Sequence, residues 1–396
     1  MQAVILAAGK STRTNPLTLT RPKVLLPVAN KTILQHNLEN LKGFIDEAII
    51  IVGYKKEMIE EYFGKKFQGI KMTYVEQKEQ LGTGHAVLPA EDYISGRFIV
   101  MNGDDIYHRD NIKDILDYDY SLMVEKVKDP SRFGIWIVED NKIKDFAEKP
   151  KKFISDIANC GMYILDKRIF DEIRKLKKSE REEYELNEAV NSFAKKVEVK
   201  YVVSNGKWLP IGYSWNLLEV NERLLKEMRS SQIEGEVEPN ATIKGNVSVG
   251  KGSVIKNGAY IEGPVVIGEN CSIGPNCYIR PFTSIGPNCR IGNAVEIKNC
   301  IIMDNTRIGH LSYFGDSIVG FDVNVGGGNM SANLRHDRES VKTHVKDELV
   351  DTEREKFGTV IGDGARTGIN TSIYPGRKIW PGKNTMPGEI IKEDLT

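Results

Sequence analysis

The sequence has no excess of charge of either sign, with 55 Lys and Arg against 55 Asp and Glu in 396 residues. That balance removes the general attraction to nucleic acid or acidic membranes, so any anionic partner has to be held by a few placed cations. No apolar run approaches the roughly 18 residues of a membrane-spanning helix. The opening MQAVILAAGK is broken by Gly9 and Lys10, too early for the apolar core and cleavage site of a signal peptide. Only five cysteines occur, at 160, 271, 277, 289 and 300, without a CxxC pair. This excludes the common zinc spacings and a disulfide framework, and predicts reduced thiols in a cytoplasmic protein. The four tryptophans, at 136, 208, 215 and 380, show none of the interleaving that stacks single-stranded bases.

What is present is a globular composition, 40% hydrophobic and 28% charged, with room for two domains at roughly 100–200 residues each. Glycine divides the chain: 13 of 36 lie in residues 1–232 and 23 in the remainder. Residues 1–232 alternate β-rich runs (Ala3–Leu6, Ala48–Val52, Phe98–Met101, Gly161–Leu165, Val199–Val203) with helix-like stretches (Leu34–Leu41, Lys56–Phe63, Trp215–Met228). That alternation predicts an α/β domain with a largely parallel sheet.

From residue 233 the period becomes six. Ile recurs at 267, 273, 279, 285, 291 and 297, and the spacing returns at Ile361, Thr367, Ile373, Ile379, Thr385 and Ile391. Three sides of six residues make one turn of a parallel β-helix, with the Ile column inside and Gly at the corners. Cys271 and Cys289, eighteen apart, then stack on successive coils as small core residues, with Cys277 in the same phase on a neighbouring side. Residues 329–358 interrupt the repeat with a charged stretch, read as β-poor, that leaves the solenoid at one corner and carries Lys342 and Lys346. These two lysines are read either as phosphate contacts or as part of a solvated loop.

The segment LAAGKSTRTNPLTLTRPKVLLPV follows the first strand and resembles the opening motif of the sugar-phosphate nucleotidyltransferase family, with Ser11 in place of the second glycine. VEQKEQLGTGHA, FIVMNGDD, SRFGIW, FAEKP and ANCGMY continue the resemblance in order. It implies a Rossmann-like domain in which Leu6, Ala7, Ala8, Gly9, Gln77, Gly82, Thr83 and Gly103 contact a nucleotide. Gln77 can offer both a donor and an acceptor to a pyrimidine edge. Gly134, Glu148, Lys149 and Asn159 are implied to hold the sugar and its phosphate, and Asp104 to bind Mg²⁺. The implied reaction is attack of a sugar-1-phosphate on the α-phosphate of UTP or dTTP, with Arg13 on the leaving pyrophosphate and Lys23 near the transferred group. Pro210 stands where many relatives place a second metal-binding Asp, which leaves Asn216 and Asn221 as alternatives. Asp105 is expected to face away from Asp104, His85 to support its loop, and the run Lys177–Glu185 to form a solvated face.

The segment NAVEIKNCIIMDNTRIGHLSYFGDSIVGFDVNVGGGNMSAN resembles the acetyltransferase half of the bacterial bifunctional N-acetylglucosamine-1-phosphate uridyltransferases, whose β-helix is left-handed. Carried over, His310 is the base that accepts the proton of a glucosamine amine attacking acetyl-CoA. Arg280 and Lys298 hold the sugar phosphate, and Tyr313, Asn324 and Asn333 contact the sugar. The resemblance also implies a homotrimer with sites between neighbours. A nucleotidyltransferase with a purely structural β-helix, and a non-catalytic regulatory subunit, are the competing readings.

Overall fold

A computed structural model describes residues 1–139 and 142–396. Two compact units emerge. The first comprises 1–10, 22–25 and 33–210, and the second 11–21, 26–32 and 211–396.

In the first unit the strand Gln2–Leu6 lies between Glu47–Val52 and Phe98–Asn102 and is parallel to both, and Ile70–Glu76 extends the sheet beyond Glu47–Val52. Sequences such as EAIIIV and FIVMN are apolar at nearly every position because both faces of a parallel sheet are covered. Ile157–Leu165 runs antiparallel to Phe98–Asn102 and brings in Ser121–Lys126 and Gly134–Glu139. The sheet is therefore mixed, as expected of a Rossmann-like domain. The expected helices form as Ile33–Leu41, Lys56–Phe63 and, in the second unit, Asn216–Lys226. The carboxyl ends of Gln2–Leu6 and Phe98–Asn102 release Ala7–Gly9 and Gly103–Asp104 side by side, with the Gly103 N–H donating to Leu6 O at 2.8 Å. The crevice beyond such strand ends is where open α/β sheets bind ligands.

In the second unit the repeat builds three parallel sheets, each gaining one strand per coil. Their inward columns read Val249, Ile267, Ile285, Ile302, Val319, Ile361, Ile379 on one side and Ile255, Ile273, Ile291, Ile308, Val325, Thr367 on the next. The third reads Ile243, Ile261, Ile279, Ile297, Phe314, Ser331, Ile373, Ile391. Each fully buried Ile contributes about 1.5–3 kcal/mol.

The six-residue period slips twice, between Ile297 and Ile302 and between Phe314 and Val319, where one corner is a residue shorter. Asn270, Asn276, Asn288, Asn299, Asn305, Asp316 and Asp322 occupy positive-φ corner positions alongside glycine. Asn and Asp tolerate that region better than other side chains. Glycine after Ile answers close stacking instead: a Cβ on Gly292 would collide with the Gly309 carbonyl one coil on. All five cysteines are free and buried, and Ser272 N–H donates to Cys289 O, which places Cys271 and Cys289 on adjacent coils.

The interruption is not β-poor. Lys342–Val345 and Glu348–Asp351 form an antiparallel hairpin that buries Val341, Thr343 and Val345. It is tied to the coils by Thr343 Oγ1 donating to Gly376 O, Arg377 Nη2 to Lys342 O and Lys378 Nζ to His344 O.

Candidate functional sites

In the first unit Ala7 and Ala8 are buried, Gly9 and Lys10 are exposed, and Gln80 Nε2 donates to Ala8 O at 2.8 Å. Lys23, carried on the 3₁₀ turn Lys23–Leu25, donates to Asp104 Oδ2 at 2.9 Å. Its side chain is 6% exposed, against 40% for the carboxylate. Gly103 and Asp104 lie in the turn after the strand. Asp105 points elsewhere and accepts from Trp208 Nε1 at 3.2 Å. Asp104 is thus paired with Lys23, and Asp105 takes the Trp208 indole N–H.

Gln77 is buried, with Nε2 donating to Gly82 O at 3.2 Å and lying 3.3 Å from His85 Nδ1. His85 therefore supports the loop as expected. Lys177–Glu185 is not merely a solvated face. Tyr184 exchanges backbone hydrogen bonds with Leu81 and Gly84, and Thr83 Oγ1 accepts from the Leu186 N–H. A Cβ on Gly82 would meet the Tyr184 backbone at 2.7 Å, and Gly82 sits at φ +102°.

Glu148 lies over the bare Cα of Gly134, where a Cβ would stand 2.8 Å from its Oε2. Burial pushes its carboxyl up, opposed by Arg181, whose Nη2 lies 3.2 Å away. Lys149 follows at φ +42° and is exposed. The Asn159 amide is committed within the protein. Its Oδ1 accepts from Trp136 Nε1, the Gly161 N–H and Tyr163 OH, while Nδ2 donates to Asn187 Oδ1.

In the second unit Ser11 takes φ +50°, so a serine adopts the backbone that a glycine would occupy without strain. Thr14 and Thr18 hydroxyls both donate to Ser11 O. Arg13 is exposed, its guanidinium 5.4 Å from the Tyr213 ring centroid. Neither alternative to the missing Asp at Pro210 is free to bind a metal. Asn221 is fully buried, its Oδ1 accepting from the Ala29 N–H and Ser284 Oγ and its Nδ2 donating to Phe282 O. Asn216 Oδ1 accepts from the Gly212 and Tyr213 amides in the turn before its helix, and its Nδ2 donates to Glu219 Oε2.

On the coils a buried carboxylate gathers the second constellation. Asp316, 4% exposed, accepts from Lys298 Nζ at 3.0 Å, Asn299 Nδ2 at 2.7 Å and Asn333 Nδ2 at 2.6 Å, with Arg354 Nη2 at 3.9 Å. A Cβ on Gly315 would run into Tyr313 OH and Asn333 Nδ2, so these two groups meet above that glycine. Burial first, then Asp316, pushes the Tyr313 phenol up. Arg280 donates to Glu296 Oε1 at 2.9 Å. His310 and Asn324 lie on the neighbouring sheet and are exposed, with His310 one corner before Tyr313. Lys342 and Lys346 are exposed on the hairpin. Sequence reasoning missed Asp316 and Arg354. The first was visible only as the aspartate of GD after Tyr313, and the second lies in the interrupting stretch.

The nucleotidyl transferase family model matches residues 2–227. The chain belongs to that family. A second model, the GMPPB C-terminal domain, matches residues 261–384 of this nucleotidyl transferase family member. Along its whole length the chain is 43% identical to the bifunctional protein GlmU of Methanocaldococcus jannaschii, covering 96% of that protein. It is 38% identical to a bifunctional sugar-1-phosphate nucleotidylyltransferase/acetyltransferase of Sulfurisphaera tokodaii, covering 98% of it. Among solved structures, a UDP-glucose pyrophosphorylase complexed with UDP-glucose is similar at 26% identity and a TM-score of 0.52, over 57% of this chain and 98% of that one.

Proposed function

We propose that this chain is a bifunctional enzyme that acetylates glucosamine-1-phosphate and transfers a nucleotidyl group from UTP or dTTP to a sugar-1-phosphate. Residues 1–232 form the nucleotidyltransferase domain and residues 233–396 the β-helix domain. The observation that carries this reading is that each half keeps its own constellation assembled: Lys23 on Asp104, and Lys298, Tyr313 and Asn333 around Asp316.

In the nucleotidyl transfer an oxygen of the sugar-1-phosphate forms a bond to the α-phosphorus, and the bond to the β-phosphate oxygen breaks to release pyrophosphate. No enzyme nucleophile is required, so the protein's work is to align two polyanions and compensate their charge. Leu6, Ala7, Ala8, Gly9 and Gly103 form the backbone cradle, and Gln77, Gly82 and Thr83 hold the base. Gly134, Glu148 and Lys149 hold the sugar phosphate, with the Asn159 network shaping their floor. Lys23 faces the transferred phosphoryl group, and Arg13 the pyrophosphate.

The residues present fit a magnesium ion, because Asp104 offers a partly exposed hard oxygen donor and Mg²⁺ takes one or two carboxylates with substrate phosphates and water. When bound it supplies charge neutralisation on phosphate oxygens.

In the acetyl transfer the glucosamine amine forms a bond to the thioester carbonyl carbon. His310 accepts the amine proton, and the carbon–sulfur bond breaks to release CoA. Lys298 and Arg280 hold the sugar phosphate, and Tyr313, Asn324 and Asn333 the sugar. The assembly is a homotrimer and the compartment the cytoplasm; light scattering that gave a monomer mass would contradict the first. The deciding experiment is a panel of UTP, dTTP, CTP, ATP and GTP with several sugar-1-phosphates, scored by pyrophosphate release, run beside CoA release from acetyl-CoA and glucosamine-1-phosphate. Pyrophosphate release without CoA release would leave a nucleotidyltransferase alone.

A further inference from the structure

Gly134, Trp136, Glu148, Asn159, Tyr163 and Asn187 all belong to the first compact unit. Gly134 and Trp136 lie two apart on one strand and share a face, paired with Glu148 and Phe146 of the next. That face carries both the bare Cα under Glu148 and the indole that reaches Asn159. The strand Ile157–Leu165 changes register against Ser121–Lys126 between Asn159 and Tyr163, and such irregularities re-aim side chains. Asn159 Oδ1 accepts from Trp136 Nε1 at 3.2 Å and from the Gly161 N–H at 3.3 Å. An indole N–H and a backbone N–H can only donate, so chemistry allows the amide one orientation, with its oxygen on these two donors and its nitrogen toward Asn187. Asn187 Oδ1 in turn accepts from Asn159 Nδ2 at 2.9 Å and from Tyr163 OH at 2.6 Å. The tyrosine has a single proton, and its 3.0 Å approach to Asn159 Oδ1 is the longer of the two, so the proton goes to Asn187. Asn159 Oδ1 then has both lone pairs filled, and Nδ2 has one of its two hydrogens engaged. Among the described residues nothing accepts the second. The amide can therefore meet a ligand as a donor and not as an acceptor.

We propose that Asn187 is a positioning residue for sugar recognition: it holds Asn159 so that one amide N–H is left to donate to an oxygen of the sugar. The proposal rests on the nucleotidyltransferase reading above. It sets the chemistry that the sugar-1-phosphate has to present at this point, an accepting oxygen of a hydroxyl or of an acyl carbonyl. A group that can only donate finds no partner there and leaves two N–H groups opposed, which a partly buried site does not tolerate. Asn187 touches no substrate atom in this role. It acts through the amide that it orients, with Trp136 and Tyr163 fixing the other sides of the same network.

The test uses the full chain with N187L, N187D, N159D and Y163F, and the nucleotide and sugar-1-phosphate that turn over fastest in the panel above. The KM for each substrate is read from steady-state pyrophosphate release. N187L removes the acceptor, so the KM for the sugar-1-phosphate is expected to rise about tenfold while that for the nucleotide stays within about twofold. A general disturbance of the fold would move both together. N187D keeps an accepting oxygen and is expected to hold the sugar KM within about threefold of wild type. N159D keeps the oxygen for Trp136 and Gly161 but turns the remaining donor into an acceptor, and is expected to raise the sugar KM at least as far as N187L. Wild-type sugar KM in N187L or N159D, a nucleotide KM that rises in step with it, or an N187D enzyme no better than N187L would overturn the proposal. Where N187L does not fold, Y163F decides, because it takes one hydroxyl from Asn187 and leaves the ring packed. A rise of about threefold in the sugar KM alone is expected there, and an unchanged KM overturns the proposal. A wild-type chain that releases no pyrophosphate with any pair in the panel defeats the nucleotidyltransferase reading, and with it the proposed role of Asn187; an active wild type beside an unaltered N187L defeats the role of Asn187 alone.

Discussion

Lys23 Nζ stands 2.9 Å from Asp104 Oδ2, the lysine nearly buried and the carboxylate open to solvent on one side. Removing either partner breaks this ion pair. D104N also replaces the anionic carboxylate proposed for magnesium by a neutral amide, so pyrophosphate release is expected to fall at least about 100-fold. K23M is expected to fall comparably, because the transferred phosphoryl loses its cation. Initial rates over a range of magnesium concentrations check both, and a variant that keeps more than a tenth of wild-type turnover contradicts the assignment.

The two reactions should separate by single substitutions. H310A is expected to abolish CoA release from acetyl-CoA and glucosamine-1-phosphate while leaving pyrophosphate release within about twofold, since a positioned base contributes about 10²–10⁴-fold. Parallel assays on one preparation test this. Undiminished CoA release would remove His310 from the chemistry.

Asp316 is the acceptor for three side chains at once. D316A leaves Lys298, Asn299 and Asn333 without it in a nearly closed setting, and is expected to cost about 2–4 kcal/mol by urea unfolding. D316N, which keeps an acceptor oxygen, is expected to be milder in stability and to raise the KM for glucosamine-1-phosphate, because Lys298 loses its counter-charge and its fixed direction. A D316N enzyme with unchanged KM would confine Asp316 to a structural role.

Burial lowers the Lys378 amine to about 8, with Arg377 pushing the same way and Asp394 opposing. In the unfolded chain the group titrates near 10.4. Between these values the unfolded state binds more protons, so this group's contribution to stability rises with pH from about 8 to 10.4. Below pH 8 the folded protein carries the full cost of a buried charge. K378M is therefore expected to gain most relative to wild type near pH 7 and least near pH 10.4 in denaturant unfolding. A difference between the two that is flat across that range contradicts the assignment.

Much of the architecture was legible because its periods are short. The Ile column and the apolar parallel strands are visible in single windows of sequence, and the phosphate loop comes with a motif. The two shortened corners escaped notice because Ile302, Ile308, Phe314 and Val319 continue the inward column out of six-residue phase. The hairpin at 342–351 was hidden by its polar outer face, since only Val341, Thr343 and Val345 betray the alternation. Asp316 and Arg181 become significant only through partners distant in the chain, Asn333 and Glu148 among them, and no local pattern announces such pairings.

The four thiols enclosed by the coils have one more use. Burial pushes Cys277 and Cys300 up to about 12 and raises Cys271 and Cys289 as well. The thiolate is the reactive form, so an alkylating reagent at neutral pH has almost nothing to attack until a coil parts from its neighbour. The rate at which label accumulates at each position would then time the breathing of the solenoid turn by turn, with no probe added to the chain.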